Sequence, residues 1–216
     1  RNTSALVSLS LPSLVAVGNS INLRDNGALT FISMSALEEV GGDLLMGGYS
    51  YPYDYSPLAN FSFESLSSIG GRFRVWSMRY LESFSMPALT HVARDVIIHG
   101  NTHLSSFEIP VLTNPEAHFT VEKNEELTSF SMPTLATIGH GLVIDDNTLL
   151  ALVSLPELTE IGLALSVGDN PSLLSLSLPS VVNIGSYVDI RSDTSAVSLR
   201  DVSLPSLRTL GGMLRL

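Results

Sequence analysis

The chain has 216 residues, 44% of them hydrophobic, and 11 Lys and Arg against 21 Asp and Glu give a formal net charge of −10. An acidic balance with scattered cations argues against a nucleic-acid partner or an anionic membrane surface. The absence of Cys excludes disulfide staples and thiolate chemistry, and no apolar run reaches the ~18 residues of a membrane span, so no direct membrane insertion is expected of this segment.

The length accommodates one sizeable core, and residues 1–216 read as one repeat domain. The chain opens on Arg1 with no signal-peptide apolar stretch, which reads as a processed segment of a longer protein. Asn2-Thr3-Ser4 is the first of two N-glycosylation sequons. The second is Asn60-Phe61-Ser62.

From Pro12 onward one short pattern recurs. Pro87, Pro110, Pro133, Pro156 and Pro179 follow one another at intervals of 23 residues. A fixed period of this size marks a solenoid in which each repeat is one coil. Before the proline slot come apolar pairs spaced by two, such as Phe84/Met86, Phe130/Met132 and Leu176/Leu178. Leu135, Leu158 and Val181 lie two residues after it, and Ile138, Ile161 and Ile184 five after. Nine and eleven residues on come Ile21/Leu23, Val96/Ile98, Leu142/Ile144 and their counterparts. Spacing by two is strand alternation with one face inside. Three such segments per repeat predict an all-β, three-sided parallel β-solenoid of about nine 23-residue coils, with little helix.

Two columns read as corner chemistry. Gly18, Gly41, Gly70, Gly139, Gly162, Gly185 and Gly211 lie six residues after the proline slot, where a positive-φ turn is expected. Asn26, Asn101, Asn124, Asn147 and Asn170 lie fourteen after it, with Asp193 as a near-equivalent. Stacked Asn side chains in this register are read as structural, hydrogen-bonding the turn backbone of adjacent coils.

The pattern also breaks. Ser35 and Glu64 replace the proline, and the interval between them grows to 29, placing a six-residue insertion within Gly47 to Pro57. The step from Pro179 to Pro205 is 26, a three-residue insertion around Ser195 to Asp201. Pro115 and Glu116 stand where Ile and Gly are usual, so that corner must be built differently. A last coil ending on an inward-facing strand calls for a cap, further chain or a partner, and self-association through the solenoid ends is one such partner.

With the columns in place, SFSMPTLATIGHGLVIDDN (residues 129–147) and SLSLPSVVNIGSYVDIRSD (residues 175–193) resemble the receptor L-domain superfamily, more loosely other leucine-rich repeats. That superfamily includes the ligand-binding lobes of receptor tyrosine kinases and lipid-anchored fungal cell-wall glycoproteins. The resemblance covers essentially the whole chain. It implies a right-handed β-solenoid, an extracellular or cell-surface location with an anchor outside this segment, and binding or structural work without catalysis or cofactor. The chain departs from receptor L domains in lacking Cys and in its greater regularity, which is closer to the wall proteins.

Recognition chemistry has three candidate sites. Tyr49, Tyr51, Tyr53 and Tyr55 alternate along the inserted loop, and Tyr offers rigid amphipathic contact for protein or glycan. A local cap over the neighbouring sheet is the plainer reading of that loop. The column Arg24, Gly47, Trp76, His99, Glu122, Asp145, Gly168 and Arg191 lies twelve after the proline slot and should point outward. Trp76 is then expected exposed beside His99, where a ring could stack on a sugar. A solvated mixed-charge face is the alternative. Glu122, Asp145, Asp146 and Asp169 cluster carboxylates of the kind that hold Ca²⁺, without the dense spacing of a dedicated loop. His91, His99, His103, His118 and His140 lack a helix to align them for zinc.

A serine ladder at Ser10, Ser33, Ser62, Ser85, Ser131, Ser154, Ser177 and Ser203, interrupted by Glu108, reads as a soluble sheet surface, with ice or a repetitive polysaccharide as the alternative ligand. No nucleophile elbow or phosphate loop is present. A polysaccharide-cleaving β-helix enzyme is the rival class, but such enzymes need irregular loops that these plain repeats lack. The expected function is recognition, adhesion or cell-wall and matrix organisation, with a cell-surface protein or glycan as partner.

Overall fold

The computed structural model describes residues 5–48, 56–191 and 199–216. Every described element is a β-strand, and all strand pairs run parallel. Each coil contributes up to three short strands, one to each of three faces. The chain is a parallel β-solenoid.

The broadest face is one continuous sheet of nine strands: Ile21–Arg24, Leu44–Gly47, Phe73–Trp76, Val96–His99, Phe119–Glu122, Leu142–Asp145, Leu165–Gly168, Val188–Arg191 and Leu214–Arg215. Nine strands leave eight steps between them, so the solenoid makes about eight turns. Register is strict: Phe119 pairs with Leu142, Val121 with Ile144 and Glu122 with Asp145, each 23 residues on. Across the two insertions the strand register holds. Leu44 pairs with Phe73, 29 residues away, and Val188 with Leu214, 26 away. Parity explains why this works, because a one-residue slip would turn the apolar set outward.

The second face carries the serine strands, three residues each, from Ser8–Ser10 to Asp201–Ser203. They hydrogen-bond in four groups rather than one sheet, with Ser83 beside Ser106 and Ser131 beside Ser154. The third face is made of two-residue strands in two ladders of four, one ending at His91–Val92 and the other starting at Thr137–Ile138. The gap between them is the coil of Pro115. Proline has no N–H to give a ladder, and here Glu116 N–H donates to the Val92 carbonyl (3.2 Å) while the Pro115 carbonyl accepts from Gly139 (3.0 Å).

The interior is filled by the inward columns. Leu135, Leu158 and Val181 are fully buried in consecutive coils, as are Ile138, Ile161 and Ile184. Burying each such side chain stabilises the fold by about 1.5–3 kcal/mol. Phe61, Phe84, Phe107 and Phe130 form a stacked ring ladder with centroid separations of 5.1, 5.5 and 5.6 Å. Those spacings follow the ~4.8 Å strand repeat, so the ladder is set by the backbone.

The glycine column has a different cause from the one expected. None of its seven members has positive φ. A Cβ on Gly162 would lie 2.0 Å from the Gly139 carbonyl oxygen, and one on Gly185 2.0 Å from that of Gly162. The corner therefore selects glycine because the coil beneath occupies the space of a side chain. Positive φ falls instead one residue before the Asn column, at Asp25, Ser77, Gly100, Lys123, Asp146 and Asp169, and one position earlier still at Gly47.

Candidate functional site

The outer edge of the broad sheet is built by two adjacent columns, the outward residue of each strand and the left-handed residue after it. The outward residues lie in line as expected. Trp76 pairs with His99, His99 with Glu122, Glu122 with Asp145, and Gly168 with Arg191.

Beneath this edge the Asn ladder holds the turn. Asn101, Asn124 and Asn147 are fully buried. Asn124 Nδ2 donates to the Glu122 carbonyl (3.1 Å) across its own left-handed residue, and to the Ile98 carbonyl (3.0 Å) one coil earlier. Asn147 repeats this on Asp145 and Val121, both at 2.9 Å. Each Oδ1 accepts the backbone N–H of the coil before it: Met78 to Asn101 (3.0 Å), Asn101 to Asn124 (3.2 Å) and Asn147 to Asn170 (3.0 Å). Asn26 Nδ2 donates to the Arg24 carbonyl (3.1 Å), so the first coil uses the same device. These buried amides are structural, and they fix what the outward column presents.

Trp76 is not the exposed platform expected from parity. It is 7% exposed, with the Arg74 guanidinium 4.9 Å and the Arg24 guanidinium 5.9 Å from the ring centroid. Both distances are within cation–π range. Gly47, its neighbour in the ladder, has no room for a side chain, since a Cβ there would overlap the Trp76 carbonyl oxygen. Alternation fixes which way a side chain leaves the strand. It does not say whether long neighbours on the same face fold over it. His99 remains half-buried, with Nδ1 3.3 Å from a Glu122 oxygen.

The carboxylates meet in part. Glu122 is occupied by His99 and by Lys123, whose Nζ lies 3.2 Å from Glu122 Oε1, and that hydrogen bond holds the Lys123 ammonium above its ordinary value. Burial, then the charges of Asp169, Glu122 and Asp146, push the Asp145 carboxyl up, against a smaller lowering by Arg191. Among the described residues no group of three or more His, Asp or Glu side chains is placed to hold a metal ion. His91 and His103, like His99, pair individually with carboxylates one coil on, His91–Glu116 and His103–Glu126 both at 3.9 Å. The His118 and His140 rings instead meet edge to face at 5.1 Å, and His118 Nδ1 accepts the Gly141 N–H (3.3 Å).

Tyr49, Tyr51, Tyr53, Tyr55 and Asn2 lie outside the described residues, as does Asp193. Asn60 is exposed at the first position of its strand, and the Ser62 hydroxyl of the same sequon donates to Glu64 Oε1 (2.6 Å).

Two concavities were not foreseen. A groove of about 280 Å³ lies between the strands Phe31–Ser33 and Asn60–Ser62 on the serine face, where Phe31 is 53% exposed. A second of about 360 Å³ is lined by Ser186, Tyr187, Val188, Asp189, Met213 and Arg215. A signal for the second was present in the residue column ten after the proline slot. There Asp189 and Arg215 stand in register, opposite charges one coil apart where Ile97, Thr120, Val143 and Ser166 are uncharged. Among the described residues no helix is long and apolar enough to cross a membrane.

Comparison with protein-family models, curated proteins and solved structures finds no match to this chain.

Proposed function

We propose that this solenoid is a non-catalytic recognition module of the extracellular space or cell surface, serving adhesion or the organisation of a wall or matrix. The observation that carries the reading is the unbroken register of the nine-stranded sheet. Stacked strands fix outward side chains at a ~4.8 Å repeat, so the face is rigid before any partner arrives and little ordering entropy is spent on binding. The resemblance of the repeat to receptor L domains and wall glycoproteins supports the same reading, since those proteins work outside the cell. The Tyr49–Tyr55 loop is the inserted element on this scaffold, and insertions on regular scaffolds are where recognition concentrates. Its partner is a cell-surface protein or glycan, with Asn2 and Asn60 as glycosylation acceptors.

The test is retention of the purified chain on insoluble wall and matrix polysaccharides and on intact cell surfaces. Retention is expected, weakened when all four loop Tyr are replaced by Ser while the melting curve stays unchanged. Soluble polysaccharide should keep its viscosity in the presence of the protein, and thermal hysteresis should be absent. Loss of viscosity would make the protein an enzyme, and hysteresis an ice binder. Absence of retention on every surface would sink the recognition reading.

A further inference from the structure

The space between Tyr187 and Met213 contains an unmet hydrogen-bonding demand. Asp189 is 5% exposed. Its Oδ2 accepts from Arg191 Nε (2.8 Å) and lies 2.6 Å from Arg191 Nη2, with Arg215 Nη1 at 3.8 Å. Its Oδ1 is buried and has no hydrogen-bond partner. A buried acceptor left unpaired costs about 1–3 kcal/mol, more when charged, so a donor arriving at Oδ1 recovers that cost.

The surroundings narrow the choice of donor. The cavity of about 360 Å³ falls within the ~300–1,000 Å³ of small-ligand sites. Tyr187 is 44% and Met213 61% exposed, so an aromatic ring and a thioether offer apolar surface beside the carboxylate. Arg215 lines the cavity with a largely exposed guanidinium 3.8 Å from Asp189 Oδ2. That charge disfavours an organic cation and favours a ligand with a carboxylate of its own. The corner beside the cavity is closed tightly: a Cβ on Gly211 would lie 2.1 Å from the Gly185 carbonyl oxygen and one on Gly212 2.9 Å from that of Ser186.

We propose that this cavity is a subsite for an acidic sugar ring, a refinement that rests on the recognition reading above. A ring hydroxyl donates to Asp189 Oδ1, the C–H face of the ring packs on Tyr187 and Met213, and the sugar carboxylate accepts from Arg215. Arg215 has a side chain 59% exposed and is free to turn from Asp189 toward the ligand. Arg191 stays on Oδ2 and keeps the buried carboxylate in place.

The experiment is calorimetric titration of the intact chain with a galacturonate trimer, the matching neutral galactose trimer and acetate. The uronate trimer is expected to bind, the neutral trimer at least tenfold more weakly, and acetate not at all. Tyr187→Ser should weaken uronate binding tenfold or more, and Arg215→Gln should remove the preference for uronate over the neutral sugar. Both side chains are exposed, so neither change should move the melting curve. Asp189→Asn, which replaces an acceptor, should abolish binding, and it is interpreted only alongside the other two because that residue is buried. No binding of either trimer, or binding unchanged in both Tyr187→Ser and Arg215→Gln, overturns the subsite. Retention on wall material that survives those two substitutions would leave the recognition reading standing without it.

Discussion

Asn147 sits one coil on from Asn124, and its Oδ1 accepts both the backbone N–H (3.1 Å) and the Nδ2 (3.3 Å) of Asn124. Each amide in the ladder thus serves its own coil as donor and the preceding coil as acceptor. Replacing Asn124 by Ala removes both functions from a fully buried position. It takes the side-chain acceptor from the Asn101 N–H and one of two acceptors from the Asn101 Nδ2. It also takes one donor each from the Ile98 carbonyl and from the Glu122 carbonyl, which keeps the Gly100 N–H. Loss of roughly 2–4 kcal/mol is expected, since several buried groups lose partners at once. Urea denaturation of the variant measures it, and a loss under ~0.5 kcal/mol would mean that the ladder is not holding the corner.

Two glycines of one column separate stacking from conformation. A Cβ on Gly162 meets the Gly139 carbonyl oxygen at 2.0 Å, whereas one on Gly18 meets nothing within 4 Å. Neither residue has positive φ. Gly162→Ala should therefore destabilise by roughly 2–4 kcal/mol, as overpacking against backbone does, and Gly18→Ala should stay within ~0.5 kcal/mol. Equal losses at the two sites would return the column to a conformational explanation.

The fold was legible because the period places chemically equivalent residues at one column, and stacking makes each column a physical contact. The insertions, the Pro115 corner and the Asn ladder follow from the same alignment. Trp76 was not legible, because parity gives the direction of its ring but not its neighbours, among them the guanidinium groups of Arg74 and Arg24. The glycine column identified the right corner for the wrong reason, since absence of a side chain looks the same whether φ or a neighbouring carbonyl demands it. The left-handed positions at Ser77 and Lys123 carry no residue signature at all. The cavity at Asp189 lies between Tyr187 and Met213, both eight after their prolines, and because that column recurs in every coil the alignment alone does not single out this step as hollow.

The electrostatics of the outer edge give a pH dependence. Asp145 titrates above its ordinary value of 3.8, first because of burial and then because Asp169, Glu122 and Asp146 repel its charge. A carboxyl whose folded value is raised binds protons more readily in the folded state, so its contribution to stability is fully present below 3.8 and is lost as pH rises through the raised value. Asp145→Asn removes that loss. The variant should melt higher than the parent at pH ~7 and lose its advantage at pH ~3, where the parent carboxyl is already neutral. Thermal melts across this range measure the difference, and a variant less stable at neutral pH would show that the charge is compensated.

Lys123 occupies the left-handed region with φ of 56°, in the column where Asp25, Asp146 and Asp169 are also left-handed. An L-residue with a Cβ costs about 1–2 kcal/mol there, and Asp bears less of that cost than Lys because its short side chain bonds locally. Glycine would remove the strain but would widen the unfolded ensemble by about 0.4–1 kcal/mol and delete the exposed ion pair with Glu122, worth at most ~1 kcal/mol. Relief and loss are close, so the comparison between sites decides. Lys123→Gly should be stabilising or neutral, within about 0.5–1 kcal/mol, and Asp146→Gly should fall below it on the same scale. The reverse order in chemical denaturation would mean that the Lys123–Glu122 pair, not backbone strain, dominates this turn.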